Sequence, residues 1–170
     1  MPQKAGLEIE IRKGSILEVE ADAIVNPANS HGWMGGGVAG VIKRAAGPEV
    51  EKEAIAQAPI PVGNAAASSG GKTKFKEILH APTMTELSEH IPVQNVSLAT
   101  RAALALADQK GHHTIAIPGM GTGVGAVEPD AAAQAMLGEI RSFKPSRLKK
   151  IILVDVNDEM VSAWRKALSS

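Results

Sequence analysis

Leu7-Glu8-Ile9-Glu10-Ile11-Arg12 alternates apolar and charged side chains, the period of a strand with one face in water. Asp22-Ala23-Ile24-Val25 is a short apolar run, read as a buried strand that ends at Asn26-Pro27. Val38 to Ala46 and Glu49 to Gln57 read as helices divided by the breaker Gly47-Pro48. Ala65 to Ser68 and Glu77 to Ala81 are strand candidates on either side of the turn-like Ser69-Gly70-Gly71. From Val93 to Lys110 the helical period is clear, with Val96, Ala99, Ala103 and Leu106 on one face and Gly111 as the stop. Thr114 to Pro118 predicts a strand followed by a glycine-rich loop. Pro129 suits the first turn of a helix that buries Ala133, Met136, Leu137 and Ile140. Ile151 to Val154 is a further strand, and Asn157 caps a last helix striped by Met160, Trp164 and Leu168. Strands alternating with helices predict an α/β domain, a largely parallel central sheet covered on both faces. Ligands of such sheets bind at the carboxyl ends of the strands, and both glycine-rich loops follow strands.

The chain has 170 residues, and the whole span 1–170 is expected to form one domain. Hydrophobic residues make up 44%, too many for a disordered chain. Lys plus Arg and Asp plus Glu stand at 18 each, which argues against binding nucleic acid by general electrostatic attraction. No sequence-specific nucleic acid partner is expected. There is no cysteine, so disulfides, thiolate metal sites and cysteine nucleophiles are excluded. No run reaches the ~18 apolar residues of a membrane span, and the first residues lack the apolar stretch of a signal peptide. A soluble, cytoplasmic protein without membrane contact is the expectation. Aromatic residues amount to 2% with no tyrosine, so few rings are available to stack on a base.

Gly35-Gly36-Gly37-Val38-Ala39-Gly40 matches G-x-G-x-x-G, and Gly121-Thr122-Gly123-Val124-Gly125-Ala126 matches its G-x-G-x-x-A form. The dinucleotide fingerprint needs a tight strand-to-helix turn and an acidic residue roughly 20 positions on, at a strand end. Here Asn26 to Met34 intervenes before the first site, and helix onset after the second waits until Pro129. Counting on from either site lands inside predicted helices, which argues against that fold. Gly70-Gly71-Lys72-Thr73 looks like the end of a P-loop, but Ala66 stands where its first glycine belongs, and the segment reads as a solvent turn. Two glycine loops at one sheet edge, the first feeding a helix N-terminus, instead suit a diphosphate held by backbone N–H groups. Asn26-Pro27 reads as turn chemistry, while Asn29 stands where its amide can reach a sugar hydroxyl. His31, His80, His90, His112 and His113 show no H-E-x-x-H spacing, so no metal site is expected.

The order of these pieces resembles the macro domain, the ADP-ribose-binding module, across nearly the whole chain. Asp22 to Asn29 is similar to its D-A-I-V-N-x-A-N segment, Gly35 to Gly40 to its G-G-G-V-x-x loop, and Ala45-Ala46-Gly47 to the end of the next helix. Ile78-Leu79-His80-Ala81 looks like its I-I-H-A strand, and Ile115 to Gly125 resembles its second phosphate loop. The resemblance implies a three-layer α/β/α fold with a mixed, largely parallel sheet. It implies that Asn29 contacts the distal ribose and that Gly35, Gly36, Gly37 and Val38 line that ribose and the adjacent phosphate. Gly121, Thr122, Gly123, Val124 and Gly125 would wrap the diphosphate, and Ser15, Ile16 and Val156 would meet the adenine. ADP-ribose or an ADP-ribosylated protein is the implied partner, with no cofactor.

Three positions depart from the family pattern. Ser15 stands where the family commonly has an aspartate bonding the adenine amino group, so the acceptor is uncharged. Val156 stands where many relatives stack an aromatic ring on the base, an exchange costing about 1–3 kcal/mol if base stacking is a guide. Ala39 replaces an aspartate that orients water in some hydrolase members, although viral-type members read G-G-G-V-A-G and hydrolyse. The resemblance therefore implies ADP-ribose binding, with Asn29 as the catalytic residue if ADP-ribose esters of acidic side chains or O-acetyl-ADP-ribose are cleaved. The alternatives are a non-enzymatic reader of ADP-ribose, or a nucleotide-diphosphate binder with relaxed adenine selectivity.

Overall fold

The computed structural model describes residues 7–86 and 90–170. Among them are six strands: β1 (Glu8–Lys13), β2 (Ala23–Asn29), β3 (Ala66–Ser69), β4 (Glu77–Met84), β5 (Thr114–Ile117) and β6 (Lys150–Asp155). The helices are α1 (Gly37–Ala46), α2 (Pro48–Ala56), α3 (Val93–Gln109), α4 (Pro129–Ser142) and α5 (Asp158–Leu168), with a short 3₁₀ turn over Ile16–Glu18. No helix of the described residues is long and apolar enough to cross a membrane.

The strands form one sheet in the order β1-β6-β5-β2-β4-β3, parallel throughout except for β3, which runs antiparallel to β4. Successive side chains of a strand point to opposite faces, and the inner strands are apolar on both. Val25, Leu79, Ile115, Ile117, Ile151 and Leu153 pack on one side with α3, α4 and α5. Ile24, Ile78, Ala116, Ile152 and Val154 pack on the other with α1 and α2. The result is a three-layer α/β/α arrangement around a mixed, largely parallel sheet.

The periodic segments form the expected elements, and the largest departure is at β2. The strand does not stop at Asn26-Pro27 but continues through Asn29, in register with β4 from Ala23↔Glu77 to Ala28↔Pro82, with a bulge before Asn29. Beyond Ile24 no register with β5 is formed, so β2 runs there as an edge, where a proline without N–H is tolerated. Asn26 is therefore no turn residue. It is fully buried, and its Nδ2 donates to His80 Nδ1 at 3.0 Å. With Nδ1 as acceptor, His80 donates from Nε2 to Ser68 Oγ at 2.8 Å, and Ser68 donates to the Ser69 carbonyl. Three strands are thus joined by one polar line beneath α2. Asn26 Oδ1 has no hydrogen-bond partner among the described residues.

Burial pushes the His80 imidazole down to about 4, against a small opposing pull from Glu53. A base whose folded pKa is depressed contributes stability that is complete above its unfolded pKa and lost as pH falls towards the folded one. Thermal midpoints should therefore fall as pH drops from about 6.5 to 4.5, the His80 contribution being of order 3 kcal/mol at full loss. His80→Leu should flatten that slope while lowering the midpoint at pH 7, because Asn26 and Ser68 lose a partner. A slope unchanged by the substitution in a pH series of melting curves would contradict this assignment.

Candidate functional site

Four adjacent strands, β1, β6, β5 and β2, run parallel and end at the same edge. Ser15 and Ile16 follow β1, Val156 follows β6, Gly121 to Gly125 follow β5, and Asn29 ends β2 ahead of the three glycines. The residues expected to contact a ligand therefore stand along one edge. The chain leaves β5 for β6 on one side and β2 for β3 and then β4 on the other, so the boundary between β5 and β2 is a topological switch point. Crevices for ligands open at such points.

The first loop, residues 30–36, is built on the side chain of Asn29. Its Oδ1 accepts the N–H groups of His31 (3.0 Å) and Trp33 (3.3 Å), and its Nδ2 donates to the Trp33 carbonyl (2.9 Å). An amide nitrogen carries two hydrogens, so one remains for another acceptor. Gly32 lets the loop lie on α2, since a Cβ there would meet the Ala54 and Ile55 backbone at 2.9 Å. The loop is also held by Glu51, whose Oε2 accepts the Met34 N–H at 2.7 Å while Oε1 pairs with Lys43 at 2.7 Å. The Lys43 ammonium and then the Met34 N–H hold the Glu51 carboxyl below its ordinary range. The imidazole of His31 stacks on the Trp33 ring, centroids 4.2 Å apart, and its Nε2 lies 3.2 Å from Glu86 Oε1.

The second loop, residues 118–128, hangs from Asp155 at the end of β6. Asp155 Oδ2 accepts the Gly119 N–H at 2.9 Å, and Oδ1 accepts the Asn157 N–H at 3.0 Å. Inside the loop Ala126 donates to the Gly123 carbonyl and Val127 to that of Gly121, each at 3.0 Å. Ala126 closes this turn at φ +62°, a left-handed conformation uncommon for a residue with a Cβ.

The glycines of the two loops divide into two kinds. At Gly121 (φ +77°) a Cβ would lie 2.8 Å from Val96 Cγ2, and at Gly125 it would lie 2.8 Å from the Gly121 carbonyl oxygen. These glycines let the loop close on its own core. At Gly35, Gly36, Gly37 and Gly123 a Cβ would meet nothing within 4 Å. Their surfaces are open.

The N–H groups of Gly35, Gly36, Gly37, Val38 and Ala39 donate to no group among the described residues, and neither do those from Gly121 to Gly125. α1 has no side-chain cap and no acidic residue in its first turn, whereas Lys43 and Arg44 occupy its last. Its N-terminus thus offers uncompensated positive potential. Two loops with free donors, one following β2 and one following β5, form an anion cradle without lysine or metal.

Towards β6 the second loop borders an open hollow of about 390 Å³, lined by Thr122, Gly123, Asn157, Glu159 and Met160 among others. A larger one, about 530 Å³, lies between the starts of α4 and α5 under Glu128, Asp130, Asp158 and Glu159. That acidic wall repels phosphate. Val156 is 70% exposed beside the first hollow, and Val124 is exposed on the second loop. Ser15 Oγ accepts the Leu17 N–H at 3.1 Å and caps the 3₁₀ turn. Ile16 is buried in the α1–α2 face of the core, so it can offer a ligand only its backbone.

Asp155 and Glu51, which hold the loops, were not singled out in the sequence. Asp155 had one legible mark, an acid at the end of an apolar strand. Glu51 had none, since its role depends on α2 folding back under the first loop. Asp22 stands at the other end of β2. Although burial opposes it, the N–H groups of His113 and Thr114 on the Asp22 carboxylate keep its pKa low, and the residue is structural.

The chain is similar to known proteins along most of its length. The family model described as Macro domain matches residues 25–136. An uncharacterized protein of Aquifex aeolicus is 57% identical over 162 residues, covering 95% of this chain and 98% of its own. The Oceanobacillus iheyensis macrodomain with ADP superposes with a TM-score of 0.86 at 25% identity, covering 99% of this chain and 94% of that one. The Trypanosoma brucei macrodomain in complex with ADP-ribose gives 0.85 at 25% identity, over 95% of this chain and 69% of that one.

The two kinds of glycine make separable predictions. Gly121→Ala should destabilise the fold by about 1–3 kcal/mol, a melting shift of several degrees, whereas Gly123→Ala should leave the midpoint nearly unchanged. Equal shifts in the two melting curves would show that the loop does not close on Val96 as described. Glu51→Gln should speed hydrogen exchange at the Met34 amide. In the parent chain the same anchor should weaken as pH falls below about 4.5, where a depressed carboxyl finally protonates.

Proposed function

The chain belongs to the macro domain family, and we propose that it binds ADP-ribose, free or attached to a protein, along the carboxyl edge of its sheet. The observation that carries this reading is the pair of free N–H rows at the β2–β5 boundary. A diphosphate lies between them, with the Gly35 to Val38 backbone on one side and Gly121 to Gly125 on the other. The distal ribose lies at Asn29, where the second Nδ2 hydrogen reaches a hydroxyl. The adenosine runs over β6 towards β1, across the hollow beside Thr122, to Val156, Ser15 and the Ile16 backbone. The span 1–170 acts as one binding unit, and no cofactor enters.

Release of ADP-ribose from an acidic side chain, or of acetate from O-acetyl-ADP-ribose, is the chemistry this site fits. In the first case a water oxygen adds to the anomeric carbon of the distal ribose as the bond to the carboxylate oxygen breaks. The carboxylate leaves with the electron pair, and the water's proton passes to solvent by way of the ligand's own phosphate. Asn29 orients the ribose, and loop N–H groups stabilise the developing negative charge. A reader that leaves the linkage intact is favoured by Ala39, which supplies no acid to orient water, and by the commitment of the Asn29 amide to its own loop.

Titration calorimetry with ADP-ribose, ADP and AMP tests the binding. ADP-ribose should bind most tightly and AMP weakly, and absence of ADP-ribose binding would overturn the proposal. Gly123→Glu should abolish binding by placing a carboxylate in the open space meant for the diphosphate. Incubation with a carboxylate-linked ADP-ribosylated protein separates enzyme from reader. Where release occurs, Asn29→Ala should lower it by at least 100-fold (about 2.7 kcal/mol or more), and unchanged turnover would remove Asn29 from the mechanism.

A further inference from the structure

Among the Phe and Trp residues, Trp33 alone is exposed. Of the other Phe and Trp residues, Trp164 and Phe75 are buried and Phe143 is half-buried, while Trp33 remains 44% exposed. It is nevertheless held in place. Its N–H and carbonyl are both bonded to the Asn29 side chain, and His31 covers one face of the ring. Glu86, two residues beyond the end of the neighbouring β4, brings its Oε1 within 3.2 Å of the His31 Nε2 and is itself two-thirds exposed. A large, rigid, half-open aromatic surface beside a carboxylate does not serve the core. It adjoins the end of the crevice at Asn29, opposite the end at Ser15 and Val156.

We propose that Trp33, His31 and Glu86 form a subsite for a cationic side chain of the protein that carries the ADP-ribose. The inference rests on the proposed function, because it places the attachment point of the ligand at the Asn29 end. A guanidinium or ammonium group settles over the open part of the indole, where the ring's negative face attracts it, and against the Glu86 carboxylate. A carboxylate in the same position meets Glu86 and is repelled. The aromatic anchor is preorganised by Asn29, so little side-chain freedom is lost on contact. An arginine next to the modified residue, planar and able to stack, fits better than a lysine.

The test uses peptides bearing ADP-ribose through a non-hydrolysable linkage, with arginine, alanine, phenylalanine or glutamate beside the linked residue. Calorimetry measures affinity, and indole fluorescence reports contact, since the second tryptophan is fully buried. The arginine peptide should bind about tenfold more tightly than the glutamate peptide and should perturb the Trp33 emission. Trp33→Leu and Glu86→Gln should each shrink that ratio to about two while leaving the affinity for free ADP-ribose unchanged. Equal affinities for the arginine and glutamate peptides, a ratio that survives Trp33→Leu, or a preference for phenylalanine over arginine would each overturn the subsite. Failure of free ADP-ribose to bind would overturn the proposed function and this inference with it. Free ADP-ribose that binds while the peptides show no preference overturns this inference alone.

Discussion

β2 and β5 pair directly, but only through Ala23↔Ile115 and Ile24↔Ala116. After those two rungs the strands part company. β2 goes on with β4 as its only partner among the described residues, and β5 stays with β6 through Ile117↔Leu153. A sheet that is continuous at its amino edge therefore splits at its carboxyl edge, and every feature of the site follows from that split. The loops leaving the two strands face each other across it, their glycines open towards it, and their N–H groups find no ladder to join.

The backbone donors at this edge would be a liability anywhere else. Buried donors without partners are costly, and native folds leave very few of them. Here those of Gly35, Gly36, Gly37, Gly123 and Val124 belong to exposed residues, and side chains standing behind the loops hold them in place. Asn29 and Glu51 hold one loop, and Asp155 holds the other. Each loop's path is thus set by side chains of the fold, and an anion bound there would meet many weak dipoles instead of one ammonium. Such a cradle favours an extended anion over a compact one.

Much of this was legible in the chain itself, because period and punctuation are local properties. The alternation in β1, the stripe on α3, the Gly47-Pro48 break and the Asn157 cap all appear where their patterns place them. The glycine loops were legible as a pair for the same reason. What the sequence could not show was the use of each polar group. Asn26-Pro27 has the composition of a turn, and only the loss of β5 as a partner beyond Ile24 lets it continue as strand. His80 looked like a strand-end histidine, and its place in a buried line depends on Ser68 and Asn26 arriving from two other strands. The glycines likewise share one composition but divide by what stands behind them, Val96 at Gly121 and open space at Gly123. Both facts need distant residues brought together.

Asp155 deserves a last consideration, since one carboxylate holds both the entry of the second loop and the turn into α5. Its two oxygens act as a rocker joining two segments that are far apart along the chain. The Gly119 N–H and the Asn157 N–H share that one carboxylate. Occupancy of the loop and the setting of the α5 turn are therefore linked quantities, and linkage runs both ways. The coupling free energy between the two ends is the same whichever end it is read from.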